Sequence, residues 1–282
     1  MSRTVYVNGS FLPEEDAKVS IFDRGFLFAD SVYEVTAVLD SRLIDFDSHM
    51  RRLERSLAGL GMSMECDKEK LLELHRRLVS LNGLVEGLIY LQVTRGEADR
   101  DFHYPVGVPQ TVVMFSQEKR FIGGAVKGLS VISVPDLRWH RRDIKTVQLL
   151  AASMAKMAAQ EAGKDDAWLV EGVYVTEGTS SNAYIITRDG TIVTRSLSTS
   201  ILPGTTRAAV LRLASEQNLT IAERAFTIEE AQDAAEAFIT SATTFVTPVV
   251  EIDGIAVADG RPGRITGRLR ELYIEESRKT AV

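Results

Sequence analysis

The chain opens on a two-residue alternation. Residues 3–7 (RTVYV) run as a half-apolar strand into Asn8-Gly9, a pair that adopts positive φ easily. The pattern predicts a hairpin, closed by Phe11-Leu12 and Pro13. Residues 14–31 carry no period and read as irregular. VYEVTAV (32–38) is β-branched and alternating, and Asp40-Ser41 turns it into RLIDF, a second hairpin. The period then lengthens. Met50, Leu53, Leu57 and Leu60 recur at helical spacing behind an Asp47-Ser48 start, and Gly61 stops the run. A second helix is expected from about Asp67 to Leu81, ended by Asn82-Gly83.

Two apolar strands follow, GLIYLQVT (87–94) and TVVMFS (111–116), with the polar loop EADRDFHYPVGVP between them. Around 117–126 the chain becomes charged and then Gly-rich, which predicts a boundary between a domain of residues 1–119 and a larger one of residues 120–282. LSVISV (129–134) is a strand. The cluster Arg138-Trp139-His140-Arg141-Arg142 leads to Asp143-Ile144-Lys145, and a helix is expected at once, with Val147, Leu150, Ala151, Met154 and Ala158 on one face. Short strands are read at 166–170, 173–175, 183–187 and 191–194, and a helix from SILPGTTR to about Gln217. A strand (LTIAERAF), a short helix (IEEAQDA), the β-rich AFITSATTFVTPVVEI and an amphipathic helix over 263–279 complete the chain. Strands and helices mix without regular βαβ alternation, which predicts an α+β fold.

Composition narrows the function classes. Of 282 residues 45% are hydrophobic and 26% charged, as in ordinary globular proteins. The net charge of −6 argues against a nucleic-acid binder, which carries a basic face. One cysteine, Cys66, rules out an internal disulfide framework, and the four histidines (His49, His75, His103, His140) lack metal-ligand spacing, so no metal is expected. No run of about 18 apolar residues and no signal-peptide core occur, so a cytoplasmic protein without a membrane span is expected. Sequences of the GxGxxG, Walker A, HExxH and GxSxG types are absent.

Lys145 is the lysine that differs from the others. Cations precede it and a buried helix is expected after it, and both factors lower an ammonium pKa, so that the amine can attack an aldehyde. Pro203-Gly204-Thr205-Thr206 precedes a helix and offers amides and hydroxyls to an anion, as does Thr240-Ser241-Ala242-Thr243-Thr244; Arg52 is a third anion candidate. Glu177, between a strand and GTSSN, can hold a protonated ring nitrogen. On spacing alone these same residues also suit structural roles: a charged residue before a helix, ordinary capping, and a hairpin turn.

Taken together, the pieces resemble the fold-type IV pyridoxal-phosphate (PLP) enzymes, closest to the bacterial D-amino acid aminotransferases. The resemblance rests on DRGFLFADSVYEV (23–35), HMRRL (49–53), YLQVTRG (90–96), RWHRRDIKTVQLLAASMAK (138–156), VTEGTSSNAY (175–184), ILPGTTR (201–207) and FITSATTFVTPV (238–249). It implies two domains, a small N-terminal α/β domain and a larger β-barrel-like one. It also implies that Lys145 holds PLP through a Schiff base and moves the substrate proton, and that Glu177 pairs with the pyridine nitrogen. Arg52, Thr205, Thr206 and the stretch Ser241, Ala242, Thr243 would bind phosphate, with Ser181 also near the cofactor. Tyr33, Arg100, Trp139 and Ser180 would line the substrate pocket. The family traps the substrate carboxylate with Arg-x-His. Here the loop reads Arg100-Asp101-Phe102-His103, so His103 stands one place late and Phe102 cannot donate a hydrogen bond. The implied reaction transfers an amino group from a D-amino acid to pyruvate or 2-oxoglutarate, in a homodimer. The alternatives within the fold are an (R)-selective amine transaminase, a branched-chain aminotransferase and an aminodeoxychorismate lyase.

Overall fold

The expected N-terminal hairpin forms between β1 (Thr4–Val7) and β2 (Ser10–Pro13), with Asn8 and Gly9 both at positive φ. The computed structural model describes residues 2–63, 66–122 and 127–282 of the chain. Within 14–31, read as irregular, lies a short helix α1 (Arg24–Phe28), capped by the Asp23 carboxylate on the Gly25 amide. The central strand β3 (Ser31–Leu39) turns at Asp40 and Ser41, both at positive φ, into β4 (Arg42–Leu43). Helix α2 (Phe46–Gly59) starts two residues earlier than its Asp47-Ser48 signal, after Asp45 in the left-handed region. Helix α3 (Lys68–Leu81) is capped by Asp67. Strands β5 (Gly87–Thr94) and β6 (Thr111–Glu118) complete an antiparallel sheet of order β2-β1-β6-β5-β3-β4. Met50, Leu53 and Leu57 of α2 and Leu71, Leu74 and Leu78 of α3 are buried, as their spacing predicts.

The remaining elements are β7 (Leu129–Pro135), α4 (Leu150–Glu161), β8 (Asp166–Glu171), β9 (Tyr174–Gly178), β10 (Asn182–Ile186), β11 (Ile192–Thr194), α5 (Thr205–Glu216), β12 (Ile221–Glu223), α6 (Ile228–Gln232), β13 (Glu236–Ser241), β14 (Phe245–Ile252), β15 (Ile255–Ala256) and α7 (Arg264–Thr280). By contacts the chain divides into two units. The first is Met1–Phe121 with Ile144–Gln148 and Ser277–Val282; the second is Ile122–Asp143 with Leu149–Glu276. Lys145 therefore groups with the first unit. The Gly-rich stretch 123–126 that marks the boundary in the sequence lies outside the described residues.

The second unit is built on nine strands in the order β12-β11-β10-β13-β14-β7-β8-β9, with β15 on β14. Strands β9 and β10 lie five places apart on that path, roughly 24 Å across a flat sheet. Gly178 and Asn182, where one ends and the other begins, are separated by only three residues, which span at most about 14 Å. The sheet must therefore curl, bringing its edge strand β9 back beside β10. The Gly178 amide donates to the Ser181 carbonyl across this closing turn at 2.8 Å. The larger domain is barrel-like for this reason, and Glu177 sits at the closure. Inside the curl pack Val131, Trp168, Val175, Ile185, Phe226, Ile239 and Val249.

Helix α4 departs from expectation. It begins at Leu150, five residues beyond Lys145, and its buried residues are Ala152, Ala155 and Ala159. Ala155 and Ala159 pack against Ala167 and Leu169 of β8. Leu150 is 75% exposed and Met154 57%, so the bulky residues occupy the outward face. Small side chains let a helix approach a sheet closely, and the packed stripe here is the alanine one.

Candidate active site

In the first unit Lys145 sits at a tight turn, the Thr146 amide donating to the Ile144 carbonyl at 2.8 Å, with an isolated bridge between Thr146 and Val32 of β3. The Tyr33 amide donates to the Lys145 carbonyl at 3.0 Å, the Lys145 amide to Ser56 Oγ of α2 at 3.2 Å, and the Val147 amide to the Ser31 carbonyl at 3.3 Å. Both neighbouring elements thus fix its backbone. Its side chain is half-buried, with Nζ 4.1 Å from the centre of the Tyr33 ring. Tyr33 stacks on Tyr90, which stacks on Phe115, so the aromatic wall extends across three strands. Burial raises the Tyr90 phenol, which stays protonated. The sequence brought Tyr33 and Lys145 forward separately; the structure brings them together.

Glu34, the next residue of β3, points to the opposite face, as strand geometry requires. It has no exposed surface. Arg52 of α2 grips it with two bonds, Nε to Oε1 at 2.8 Å and Nη2 to Oε2 at 2.7 Å, and His49 Nδ1 lies 2.7 Å from Oε2. Burial pushes this carboxyl upward, yet Arg52 and His49 together hold it well below the usual carboxylate range. Sequence reasoning chose Arg52 and missed Glu34. The signal was present in VYEVTAV: an acidic side chain among alternating apolar residues, at a position whose neighbour two places on (Thr36) is also buried.

The loop after β5 is held by Arg24, whose Nη1 donates to the Asp101 carbonyl at 2.7 Å. Arg24 and Arg95 share the Asp30 carboxylate. Arg100 is exposed and its guanidinium lies 5.6 Å from the ring centres of both Phe28 and Phe102. Phe102 is 78% exposed. The His103 side chain is 94% exposed and its Nδ1 pairs with Asp101 at 3.1 Å.

In the second unit Glu177 is buried on β9. Arg138 Nη1 donates to its Oε1 at 2.5 Å, Asn182 Nδ2 to its Oε2 at 3.1 Å, and the Leu202 amide to Oε2 at 3.1 Å. Burial raises this carboxyl, and the Arg138 charge opposes the rise without cancelling it. The cationic cluster that precedes Lys145 in sequence is committed to acids: Arg138 to Asp136 and Glu177, Arg141 to Asp143, Arg142 to Glu171. It builds the surroundings of Glu177. Trp139 within it is half-buried. In the closing turn Ser180 is exposed, while the Ser181 hydroxyl is buried with no hydrogen-bond partner among the described residues.

The anion candidates of this unit converge through Tyr273. Helix α5 begins at Thr205 after Gly204, which has no side chain to cap the first-turn amides. Thr206 Oγ1 lies 3.4 Å from Tyr273 Oη, and the Tyr273 ring packs edge-on against Phe245, directly after the Ser241–Thr244 turn. Ser241 Oγ organises that turn, accepting the Thr243 and Thr244 amides at 3.3 and 3.2 Å, with Ala242 between Ser241 and Thr243. Arg270 donates to the Thr244 and Val246 carbonyls. The Asn182 amide, which sequence reasoning passed over, joins both ends of this constellation. Its Nδ2 reaches Glu177 and the Leu202 carbonyl, and its Oδ1 lies against Gly204, where an added Cβ would stand 2.2 Å away. No group of His, Cys, Asp and Glu suited to a metal occurs among the described residues. No helix among them is long and apolar enough to cross a membrane.

The family described as Amino-transferase class IV matches residues 31–252 of the chain. D-alanine aminotransferase of Staphylococcus aureus (strain MSSA476) is 37% identical over 276 residues, 96% of this chain and 98% of that protein. The enzyme of the same name from Bacillus licheniformis is 38% identical over 281 residues, 98% and 99% of the two chains. Among solved structures, a branched-chain amino acid aminotransferase from T.th., solved with pyridoxamine 5'-phosphate, aligns with a TM-score of 0.89 at 27% identity, covering 98% of this chain and 94% of that one. The Escherichia coli branched-chain aminotransferase, at 23% identity, shares the fold with a TM-score of 0.89 over 98% of this chain and 95% of that one. A match of this extent, on the fold described above, means that the chain belongs to the class IV aminotransferases.

Proposed function

We propose that the protein is a PLP-dependent transaminase that moves an amino group from a D-amino acid to a 2-oxo acid, pyruvate or 2-oxoglutarate. Near full-length similarity to D-alanine aminotransferases supports the stereochemical part of this reading. The observation that carries the chemistry is the charge state around Glu177. Glu177, Arg138, Asp136, Arg142 and Glu171 form a chain of alternating sign, each in contact with the next. Three acids and two bases leave one surplus negative charge, and Glu177 is the buried end of the chain. A protonated pyridine nitrogen there would balance it. The residues present fit PLP in other respects: a half-buried primary amine at Lys145, the buried hydroxyl of Ser181 without a partner among the described residues, and the start of α5, where Gly204 has no capping side chain, in the same unit as a hydroxyl-rich turn.

PLP, when bound, supplies an electron sink for the carbanion that forms at the substrate Cα. In this reading Lys145 would hold the cofactor through a Schiff base and, once displaced by the substrate amine, would move the proton between the substrate Cα and C4′. Glu177 holds the proton on the ring nitrogen. Thr205, Thr206, Ser241, Ala242 and Thr243 bind the phosphate with Arg52, which Glu34 keeps oriented, and Ser181 adds a hydroxyl. Tyr33, Arg100, Trp139 and Ser180 face substrate, with His103 as the nearest replacement for the missing Arg-x-His histidine. We further place the protein in the cytoplasm as a homodimer; exposed Ile21, Phe22 and Phe26 offer apolar surface for a second copy.

A second reading is favoured by one observation. Phe102 occupies the carboxylate-binding histidine position and His103 is engaged by Asp101, so an (R)-selective amine transaminase fits the loop as it stands. A half-reaction scan decides. The PLP form is mixed with D-alanine, D-glutamate, L-leucine and (R)-1-phenylethylamine, and bleaching of its visible band is followed. Fast reaction with the D-amino acids is expected. Reaction confined to (R)-1-phenylethylamine would transfer the enzyme to the second reading, and reaction with L-leucine alone would refute both.

A further inference from the structure

The surroundings of Glu177 contain a residue with no partner role in the reaction as described. Asp136 follows β7, its side chain fully buried. It meets Arg138 two-pronged, accepting Nε at 2.9 Å and Nη2 at 2.7 Å, and accepts the Thr176 hydroxyl at 2.7 Å. On its other side the Arg142 Nε lies 3.4 Å away. Arg138 thus stands between two carboxylates, Asp136 and Glu177, and cannot give its whole charge to either. The three adjacent strands β7, β8 and β9 carry or adjoin every acid involved, so the spacing is set by the sheet.

We propose that Asp136 is a positioning residue for Glu177. By binding Arg138 it limits the positive charge that reaches Glu177, and so sets how firmly Glu177 holds the proton it shares with the cofactor's ring nitrogen. The proposal rests on the reading of Glu177 as the ring-nitrogen partner. Physically, a guanidinium fully turned on Glu177 makes a poor proton acceptor of it, and the ring proton is then left on the nitrogen alone. A Glu177 without Arg138 takes the proton itself in this buried place, and the ring loses its charge. Asp136 holds the balance between these limits. The groups facing Glu177 are Arg138, the Asn182 amide, the Leu202 amide and, through space, Asp136 and the Tyr184 phenol. Those facing Asp136 are Arg138, Arg142, Thr176 and, through space, Glu171, which itself faces His140.

The test uses variants whose expected shifts differ in sign. The Glu177 carboxyl is followed by carbon-13 NMR in the apo protein, assigned by the signal lost in Glu177→Gln, and titrated with pH. Asp136→Asn frees Arg138 for Glu177 and moves the midpoint down. Arg138→Met moves it up. Arg142→Gln leaves Asp136 with a stronger hold on Arg138 and moves it up by less, which keeps the idea testable if Asp136→Asn does not fold. PLP affinity is measured alongside. Because PLP would bind the ionised form, affinity falls about tenfold per pH unit below the midpoint, and this limb should move with the NMR midpoint in each variant. Midpoints that all move the same way, as general loosening of the site would produce, overturn the proposal, as does an unmoved midpoint in Asp136→Asn. Midpoints that move as expected while PLP affinity ignores them leave the charge chain standing and overturn the assignment of Glu177 to the cofactor.

Discussion

Arg52 holds Glu34 by two parallel hydrogen bonds, 2.8 and 2.7 Å long, with both residues buried. A guanidinium fixed in this way is aimed before any anion arrives, and a planar fork is the geometry that a lysine cannot copy. Replacing Glu34 by Ala leaves Arg52 and His49 without their shared carboxylate. The expected cost is about 3–5 kcal/mol of stability, measured by urea unfolding of the apo protein. Arg52→Lys should lower PLP affinity with a smaller loss of stability. Equal stability of Glu34→Ala and the parent would contradict this account.

His75 is buried at the end of the same cluster, its Nδ1 at 2.7 Å from the Leu71 carbonyl and its ring edge-on to Phe46. Burial pushes its pKa down to about 4. The unfolded chain therefore takes up this proton below about pH 6.5, while the folded protein does so only below about pH 4. Stability from this group is complete above pH 6.5 and is lost as pH falls toward 4, on the order of 3 kcal/mol in all. In His75→Phe the slope of unfolding free energy between pH 6.5 and 4 should flatten. A slope unchanged by the substitution would show that other groups cause it.

In the proposed reading Phe102 takes the place of a hydrogen-bond donor to the substrate carboxylate. Phe102→His should lower KM for D-alanine about tenfold or more, the worth of one charge-assisted bond, and leave (R)-1-phenylethylamine unimproved. Arg100→Ala should do the reverse to D-alanine. Steady-state kinetics with both donors checks the pair. A Phe102→His enzyme that gains on both donors alike would place residue 102 away from the carboxylate.

Gly204 presses on the Asn182 amide, with 2.2 Å left for a Cβ. Gly204→Ala must push Asn182 off Glu177 or shift the first turn of α5. PLP affinity should fall about tenfold, the equivalent of one lost charge-assisted bond, and the unfolding midpoint of the apo protein should also fall. Asn182→Ala in the same background should then cost nothing more, since both act through one contact.

Most strands were legible from alternation and most helix ends from their turn residues, because each depends on neighbours in sequence. The exceptions have physical reasons. Leu150 and Met154 looked like a core stripe, but α4 packs through its alanines, and periodicity cannot tell which of two faces the sheet will take. The cations before Lys145 looked like its own environment. In the folded chain they answer to Asp136, Asp143, Glu171 and Glu177, three of which lie on or beside other strands. Lys145 and Glu177 stood out by residue type and context. Glu34, Asp136 and Asn182 did not, since each matters only through a partner brought close by folding.

Consecutive residues of β3 serve different ends: Tyr33 walls the lysine and Glu34 braces the arginine, on opposite sides of one sheet. This makes the strand indivisible for engineering. A one-residue deletion before Tyr33 would not weaken one function and spare the other; it would exchange their addresses, sending the phenol into the helix layer and the carboxylate toward Lys145. Libraries that vary substrate range can change what stands at 33, but they cannot change how many residues precede it.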